Sequence, residues 1–585
     1  MLEVVGIELD EALLAGWRAR VERARRHLGW DRPPLAIPVP SEIVARRHAT
    51  GTTLAIAAPF DQLFTATEVN EWALCAGLLE RDPFHWSGLA DALLAAAREE
   101  AVDPDKVIPP VLEERAALAR FERLAGAELR NDLRALIEAA ESLGVRHVLD
   151  ETMLTLGAGA GSLSWPLGDL PAEEEVPWGS VHEIPVAVVT GSNGKTTTVR
   201  LVAACARAQG WRDGFTCTDG VFVGRELVEA GDYSGPAGTR HVLRDRRVEA
   251  AVLEIARGGI LRRGLALDHA NVAVVTNIAS DHFGEFGIHD LGGLADVKLT
   301  VAQLVSREGL LVLNADDEQL RAKAPGLAAR LGFEPPVGWF ALDDAHPLLA
   351  AHRAKGGLTC GVRDGRLRLS HAGADHDLGA IQDMPLTVNG QAGYNVANLA
   401  GASLAAAAMG IAPSAIAGVC ATFGADPGDN AGRLMRFDVG GVRVVLDYAH
   451  NPHGLRGVLQ VARSLRAPGG RMAMLLGHAG NRRDEDFEDL AAVAAEFAPD
   501  LIVVKENERH LRGRAPGEVP ALLRASLLRC GVAESRLAMQ PTEVDAANHA
   551  LAWARPGDVV ALLLHAGPAR AEVLERLGGV RYSPF

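Results

Sequence analysis

Between residues 184 and 429, short apolar runs alternate with longer segments of helical periodicity. β-Branched runs at 184–190, 249–254, 272–276 and 310–313 are separated by segments rich in Ala and Leu. Strands that alternate with helices in this way form a mainly parallel sheet covered by helices. The pattern therefore predicts an α/β domain over residues 184–429.

A second alternating series begins after the polar, glycine-rich segment 424–430. Its predicted strands are 442–446, 472–476, 501–504 and 558–564. Because the series is shorter but shows the same alternation of strands and helices, we expect a smaller Rossmann-like α/β domain over residues 430–585.

Residues 1–164 have a different pattern. Between Leu118 and Leu143 the apolar positions recur mostly at steps of three or four, with a possible break at Gly126, which predicts a mostly helical N-terminal accessory module. Residues 165–183 begin with a stretch rich in Pro, Gly and acidic residues, and we interpret them as a linker. The sequence LGAGAGS at 156–162 has no apolar strand before it and no lysine after it, so we interpret it as a flexible turn rather than a phosphate loop.

Composition limits the possible functions. The chain has 585 residues, of which 48% are hydrophobic and 23% charged, and its net charge is −16. The length predicts about three domains, and the apolar fraction excludes disorder as the main state. The acidic balance argues against nucleic-acid or membrane partners, which require a cationic surface. An anionic ligand must therefore be held by local positive features.

Cysteine and lysine usage add two expectations. The six cysteines are scattered without a CxxC pair, and the N-terminus lacks a secretory pattern, so we expect a cytoplasmic protein with reduced thiols. Only six of the 59 basic residues are lysines. Such a chain should retain lysine mainly where a compact, deprotonatable amine is required.

The strongest local signal is the segment TGSNGKTTT at 190–198, where an apolar strand is followed by a glycine turn and a helix. Glycines let backbone N–H groups approach phosphate oxygens, and a helix N-terminus favours an anion. In this context Lys195 would reach the β- and γ-phosphates, and the Thr196 hydroxyl would bind Mg²⁺. The alternative is a glycine turn with an exposed lysine. The candidate nucleotide-binding loop comprises Gly191, Ser192, Asn193, Gly194, Lys195, Thr196 and Thr197.

Two further strands deliver polar side chains to the same edge of the predicted sheet. Glu254 ends one strand at the carboxyl edge, where ligands bind to parallel sheets, and is a candidate Mg²⁺ ligand. Its alternative is a solvated acid at the start of a loop. His282 follows the next strand in VTNIASDH, and an isolated histidine is equally well a structural hydrogen-bonding residue or a ligand.

Six motifs in their order along the chain resemble the ATP-dependent Mur ligase superfamily. They are TGSNGKTTT, LEIARGG, VTNIASDHFGEFGIHDLGGLADVKL, LVLNADD, AGR at 431–433 and LDYAHNP at 446–452. TDG at 218–220 and HLRGRAPGEV at 510–519 make the chain similar, within that superfamily, to the Mur-like domain of the cyanophycin synthetases. The resemblance covers residues 184–585. It implies a P-loop-type ATPase domain followed by a Rossmann-like domain.

The resemblance also implies how metal ions are held. By this resemblance, Lys195 and Thr196 bind the ATP phosphates and a first Mg²⁺, and Glu254 is a further ligand of that ion. His282 would bind a second Mg²⁺. Lys298 lies where many Mur ligases have a carbamylated lysine whose carbamate helps to hold that ion. Carbamylation needs a primary amine, which agrees with lysine at 298 in an arginine-rich chain. A solvated helix lysine is the alternative.

The same resemblance implies nucleotide contacts beyond the loop. Asn314 in NADD would contact adenine, Arg433 the γ-phosphate, and Asp447 the ribose. The chain also departs from the family pattern: Tyr394 stands where a histidine is usual, and residues 478–484 replace a more usual Gly-Asp-Arg-Arg run. These changes predict altered substrate specificity.

The activity implied is an ADP-forming ligase that joins a carboxylate to an amine through an acyl phosphate. Only 183 residues precede the Mur-like core, so we expect no ATP-grasp domain, which the cyanophycin synthetases use to extend the aspartate chain. The chain would add an amino acid such as Arg or Lys to an aspartyl peptide or cyanophycin-like acceptor, either as a homo-oligomer or with a separate ATP-grasp protein. The alternatives are a nucleotide-binding partner without turnover and a folylpolyglutamate- or poly-γ-glutamate-type ligase.

Overall fold

A computed structural model describes residues 1–30, 43–48, 51–88, 113–280, 283, 285–507 and 510–577. These residues form two compact units. The first comprises Met1–Gly144, Trp165–Pro177 and Gly284–His289, and the second comprises Val145–Ser164, Trp178–Phe283 and Asp290–Phe585. The division differs from the predicted segment borders, since residues 145–164 belong to the second unit.

The first unit combines helices with a small antiparallel sheet of order β1-β3-β2. Its strands are β1 (Leu2–Val5), β2 (Val44–His48) and β3 (Gly51–Ala55), and its helices are α1 (Glu11–His27), α2 (Leu63–Arg81), α3 (Glu114–Glu128) and α4 (Asn131–Ser142). Trp17, Val69 and Phe121 pack at its centre because their apolar side chains recur on the inner helix faces. The helices were predicted here, whereas the sheet was not, and the break between α3 and α4 falls after Gly126.

The second unit begins with the short strands β4 (His147–Leu149), β5 (Met153–Leu156) and β6 (Leu163–Pro166). The LGAGAGS turn between β5 and β6 is buried rather than loosely packed. A Cβ on Gly159 would lie 2.2 Å from the Val248 carbonyl oxygen, and Ala160 N donates to that oxygen at 2.7 Å. The glycines therefore permit a close backbone approach.

An eleven-stranded sheet of order β10-β9-β8-β11-β7-β12-β13-β14-β15-β16-β17 forms the central part of this unit. The seven strands from β8 to β15 in that order are parallel, and antiparallel strands extend both edges. The strands are β7 (Val186–Thr190), β8 (Asp213–Cys217), β9 (Gly220–Val223), β10 (Glu226–Ala230), β11 (Ala250–Glu254), β12 (Ala270–Val275), β13 (Val305–Asn314), β14 (Val337–Asp343), β15 (Thr359–Arg363), β16 (Arg366–His371) and β17 (Ala374–Ala380).

In the helix Gly393–Ala408, alanine side chains are small enough to let the helix approach the strands closely. This and further helices cover the sheet. They are α5 (Lys195–Ala208), α6 (Pro236–Arg244), α7 (Arg257–Arg263), α8 (Leu291–Lys298), α9 (Glu318–Lys323), α10 (Leu327–Leu331), α11 (Pro347–Arg353), α12 (Gly393–Ala408) and α13 (Pro413–Thr422). α5, α12 and α13 share one buried apolar cluster with the sheet.

The C-terminal part contains a six-stranded sheet of order β18-β19-β23-β20-β21-β22, with β18 antiparallel to the rest. Its strands are β18 (Met435–Val439), β19 (Val442–Asp447), β20 (Met472–Leu476), β21 (Leu501–Lys505), β22 (Leu537–Gln540) and β23 (Val559–Leu563). The helices α14 (Pro452–Leu465), α15 (Asp484–Glu496), α16 (Glu518–Arg529), α17 (Glu543–Trp553) and α18 (Gly567–Leu577) cover both faces. The predicted α/β class is confirmed. Within the described ranges, the model contains no helix with the length and apolarity of a membrane span.

Candidate active site

A cavity of about 440 Å³ lies in the second unit between the carboxyl ends of the central strands, the loop that leads into β18 and the loop that follows β19. It brings together residues that are far apart in the sequence and that were predicted separately. Among its lining residues are Ser192, Asn193, Gly194, Lys195, Thr196, Thr197, Glu254, Asn314, Arg433 and Asp447.

The loop between β7 and α5 follows a path that only glycine permits at two points. Gly191 and Gly194 have φ values of +145° and +84°. A Cβ on Gly191 would lie 1.8 Å from Thr276 Oγ1, and one on Gly194 would lie 2.2 Å from Asn398 Oδ1. Glycine at these two positions lets the loop pass close to its neighbours, and a tight glycine loop before a helix N-terminus is the backbone arrangement that binds phosphate.

Hydrogen bonds hold this loop in place from the neighbouring strand end. Thr276 Oγ1 donates to the Asn193 carbonyl at 2.6 Å, and Asn193 N donates to Asn277 Oδ1 at 3.0 Å. Lys195 folds back over the loop, where its Nζ donates to the carbonyls of Gly191 at 3.0 Å and Ser192 at 3.2 Å. The ammonium group is therefore placed beside the cavity before a ligand enters.

Thr196 and Glu254 form a buried oxygen pair at the same edge. The Thr196 hydroxyl donates to Glu254 Oε2 at 2.8 Å, while Glu254 Oε1 is buried and has no hydrogen-bond partner among the described residues. Burial raises the pKa of Glu254, and the positive charges of Lys195 and Arg433 oppose that rise. An unpaired carboxylate oxygen beside a hydroxyl fits a hard cation such as Mg²⁺.

The second predicted metal site is only partly described. Lys298 is buried, and its Nζ donates to the Gly191 carbonyl at 2.7 Å, which places the amine against the phosphate loop. His282 lies outside the described residues. Over the residues that the structure does describe, no cluster of three His, Cys, Asp or Glu side chains is suited to a metal. The second site and the carbamate remain predictions.

Asn314 lies at the end of β13, where its amide bridges two loops. Its Nδ2 donates to the Thr276 carbonyl at 3.0 Å, and its Oδ1 accepts from Asp316 N at 2.9 Å. The side chain thus lines the cavity while it is engaged with backbone, and the predicted adenine contact remains a prediction.

The C-terminal part supplies a cation and a carboxylate. Arg433 Nη2 donates to Thr218 Oγ1 at 3.2 Å, and its guanidinium lies 4.3 Å from the centre of the Tyr448 ring. Asp447 accepts from the backbone N–H groups of Leu434 and Ala449, both at 2.7 Å. Burial raises the pKa of Asp447, and Arg433 opposes that rise. Each predicted C-terminal residue therefore reaches the cavity.

Two contacts to the phosphate loop were missed in the sequence. Asn430 Nδ2 donates to Thr197 Oγ1 at 3.2 Å, and the His453 ring nitrogen Nδ1 lies 3.1 Å from Asn193 Nδ2. Asn451, in the LDYAHNP motif, donates through Nδ2 to Asn193 Oδ1 at 3.0 Å. The AGR and LDYAHNP motifs lie in or beside these three residues, and they are the sequence signals that could have revealed the contacts.

Asp219 in the TDG motif connects the two parts of the site. It accepts from Arg200 Nη2 on α5 at 3.0 Å and from Arg570 Nη2 on α18 at 2.6 Å. Burial alone would raise the pKa of Asp219, but these arginines and Arg433 hold it below its usual range. The carboxylate is therefore an ionised bridge between the phosphate-loop helix and the C-terminal part.

Tyr394 lines the same cavity, and its hydroxyl is buried without a hydrogen-bond partner in the described part of the chain. Burial raises the pKa of this phenol well above its usual value. The position at which the sequence predicted a departure from the family pattern thus lies within the site.

Two family models match the parts that form this cavity. The Mur ligase middle domain matches residues 189–347, and the Mur ligase, glutamate ligase domain matches residues 432–563. The cyanophycin synthetase of Trichormus variabilis is 37% identical over 397 residues, which are 68% of this chain and 43% of that protein. The chain thus spans less than half the length of this relative.

Two more distant similarities cover much the same region. The UDP-N-acetylmuramoyl-L-alanyl-D-glutamate–2,6-diaminopimelate ligase of Chlorobaculum tepidum is 27% identical, over 65% of this chain and 77% of that protein. The solved structure of E. coli FolC in complex with DHPP and ADP is 19% identical, with a TM-score of 0.48, over 68% of this chain and 89% of that one. The two family models and the cyanophycin synthetase similarity show that the chain contains the middle and C-terminal domains of the Mur ligases and that it is homologous there to the cyanophycin synthetases.

Proposed function

We propose that the chain is an ATP-dependent, ADP-forming ligase that joins a carboxylate to an amine. The observation that carries this proposal is the cavity itself. The cavity combines the phosphate loop with its two required glycines, the Lys195 ammonium group, the Thr196–Glu254 oxygen pair, and Arg433 from the C-terminal part. This set provides local positive charge in an acidic protein.

The chemistry of such a ligase is governed by charge. An oxygen of the substrate carboxylate attacks the γ-phosphorus of ATP, the bond from that phosphorus to the bridging oxygen breaks, and ADP leaves with the electron pair. Repulsion between two anions opposes this step unless positive groups offset it. Lys195, the N-terminus of α5 and Arg433 offset it here, and Thr196 with Glu254 would hold a Mg²⁺ ion whose charge adds to theirs.

The second half of the reaction forms the amide. The amine nitrogen attacks the carbonyl carbon of the acyl phosphate, the carbon–oxygen bond to phosphate breaks from the tetrahedral intermediate, and the nitrogen releases its proton to solvent. Water would hydrolyse the acyl phosphate, so the two domains must enclose it. The contacts of Asn430 and Asn451 with the phosphate loop are the kind of contact that such enclosure needs.

For the substrates we propose an amino acid such as Arg or Lys and a carboxylate of an aspartyl peptide or cyanophycin-like acceptor. The homology to the cyanophycin synthetases supports this class. We further propose that Tyr394, which lines the cavity, contributes to the choice between substrates.

The test is ADP release from the full chain with Mg-ATP, aspartyl peptides and a panel of amino acids, with mass spectrometry of the product. We expect ADP release that requires both substrates and a new amide of the summed mass less one water. The alternative is a nucleotide-binding partner protein without turnover. Tight Mg-ADP binding without turnover on any pair of substrates would select it.

A further inference from the structure

Three buried polar side chains lie together in the C-terminal domain, next to the cavity but outside its lining. They are Lys505 at the end of β21, Glu543 at the start of α17 and His565 just after β23, and their side chains are 0%, 4% and 6% exposed. Burial of charged groups is costly unless they are paired and hydrogen-bonded. The cluster therefore needs a physical reason, and the proposed chemistry does not use it.

The carboxylate of Glu543 organises the cluster. It accepts a hydrogen bond from Lys505 Nζ, and it accepts from the backbone N–H groups of His565 at 3.0 Å and Ala566 at 2.8 Å. The stem of Lys505 packs over Gly477, where an added Cβ would lie 2.8 Å from the lysine Cγ. The ammonium group and the backbone after β23 are thus both fixed by one carboxylate.

The ammonium group decides which histidine nitrogen bears the proton. Lys505 Nζ lies 3.4 Å from His565 Nδ1, and an ammonium can only donate. His565 Nδ1 must therefore accept, which leaves the proton on Nε2. That nitrogen lies 3.1 Å from the Ala449 carbonyl oxygen and donates to it. Burial and the charge of Lys505 lower the pKa of His565 well below its usual value, so the ring stays neutral.

Ala449 is held from both sides of its backbone as a result. Its N–H donates to Asp447 Oδ1 at 2.7 Å, and its carbonyl accepts from His565. The intervening residue, Tyr448, packs its ring 5.5 Å from the His565 ring and 4.3 Å from the Arg433 guanidinium. The positions of Asp447, Tyr448 and Ala449, which all line the cavity, therefore depend on this one short loop.

We propose that His565 is a positioning residue for nucleotide binding. Its Nε2–H holds the Ala449 carbonyl and thereby keeps Asp447 and Tyr448 turned toward the cavity, while Lys505 sets the tautomer that makes this donation possible. The inference rests on the proposed function only in that the cavity takes a nucleotide.

The test compares His565→Leu, which removes the donor, with His565→Gln, whose amide nitrogen can reach the position of Nε2. Titration calorimetry of the full chain with Mg-ADP measures affinity, and steady-state kinetics separate the KM for ATP from kcat. We expect His565→Leu to weaken Mg-ADP at least about tenfold and to raise the KM for ATP more than it lowers kcat. His565→Gln should restore most of the affinity.

His549→Leu is the matched control, since this histidine lies in the same domain, bonds Gln540 at 3.0 Å and does not line the cavity. Unchanged Mg-ADP affinity in His565→Leu would overturn the positioning role, and so would equal loss in the Leu and Gln variants. If Mg-ADP affinity depends on the His565 donor but the protein turns over no pair of substrates, the positioning role is supported and the ligase proposal is refuted.

Discussion

Lys195 is the residue that joins loop geometry most directly to the proposed phosphoryl transfer. Its Nζ already donates to the carbonyls of Gly191 and Ser192, at the N-terminus of the helix that follows the loop. A preorganised charge needs no rearrangement when negative charge develops on the phosphates. Replacing it should therefore affect the reaction more than it affects folding.

We predict that Lys195→Ala lowers turnover by roughly 10²–10³-fold, the magnitude expected when one preorganised charge is lost. The measurement is substrate-dependent ADP release at saturating ATP. Lys323→Ala is the control, because Lys323 forms only a surface ion pair with Asp296 at 2.7 Å. Near-normal turnover by Lys195→Ala would exclude the lysine from the mechanism.

A second residue-scale prediction concerns pH and stability. Hydrogen bonds to Asp268 and Glu183 raise the pKa of His269 from 6.5 to about 9. Because the folded pKa is the higher one, the protonated ring stabilises the fold fully below pH 6.5, and this contribution is lost as the pH rises through about 9. The difference in free energy of unfolding between the wild type and His269→Gln should accordingly shrink between pH 6.5 and pH 9.5 in denaturant titrations. A difference that does not change over this range would contradict the assignment.

Local spacing predicted some site residues and could not reveal others. Lys195, Thr196 and Glu254 belong to short motifs on neighbouring strands, and the structure brings them to one cavity. Asp219 lies in the TDG motif, but the motif does not reveal its partner Arg570, which is 351 residues away. His565 has no local signal, because its partner Ala449 is 116 residues away. Only the folded chain shows their roles.

At the scale of elements, buried parallel strands were the most predictable feature. Strands such as Val186–Thr190 and Leu501–Lys505 are buried along their whole length and apolar up to their last residue, because both faces of the sheet are covered. The edge strands Arg366–His371 and Ala374–Ala380 carry arginine, aspartate and histidine on their exposed sides, so no apolar run marks them. Their pairing depends on antiparallel contacts that the hydrophobic pattern does not show.

The phosphate loop offers the sharpest element-scale prediction. Gly194→Ala places a Cβ 2.2 Å from Asn398 Oδ1 at a φ of +84°, so the loop must move. We expect Mg-ADP affinity to fall at least about tenfold while the circular dichroism spectrum stays native. Gly210→Ala is the matched control, since its φ is +96° and nothing lies within 4 Å of its Cβ. Equal affinities for the two variants would show that the loop geometry is not required.

At the scale of the whole molecule, the site is shared between two successive sheets. Two successive α/β domains were predicted from two changes in the hydrophobic pattern, the motif resemblance implied that the first is an ATPase domain, and a family model matches each part. The contacts between those parts were not predictable, because they join residues that are far apart in the sequence. Asp219, which accepts from Arg200 and Arg570, is the clearest of these.

We predict that Asp219→Asn raises the KM for ATP and lowers turnover, each by about tenfold, because the amide leaves both arginines without their ionised partner. Steady-state kinetics of ADP release check this. Asp296→Asn, which removes an exposed ion pair, should change neither value appreciably. Wild-type kinetics in Asp219→Asn would mean that the bridge does not contribute to closure.

The most direct test of the account is a crystal structure of the full chain grown with Mg²⁺ and a non-hydrolysable ATP analogue. The account predicts the triphosphate against the backbone N–H groups of residues 191–197, with Lys195 on its terminal phosphates and a metal ion beside Thr196 and Glu254. A triphosphate bound elsewhere, or a loop cavity that stays closed to the nucleotide, would contradict it.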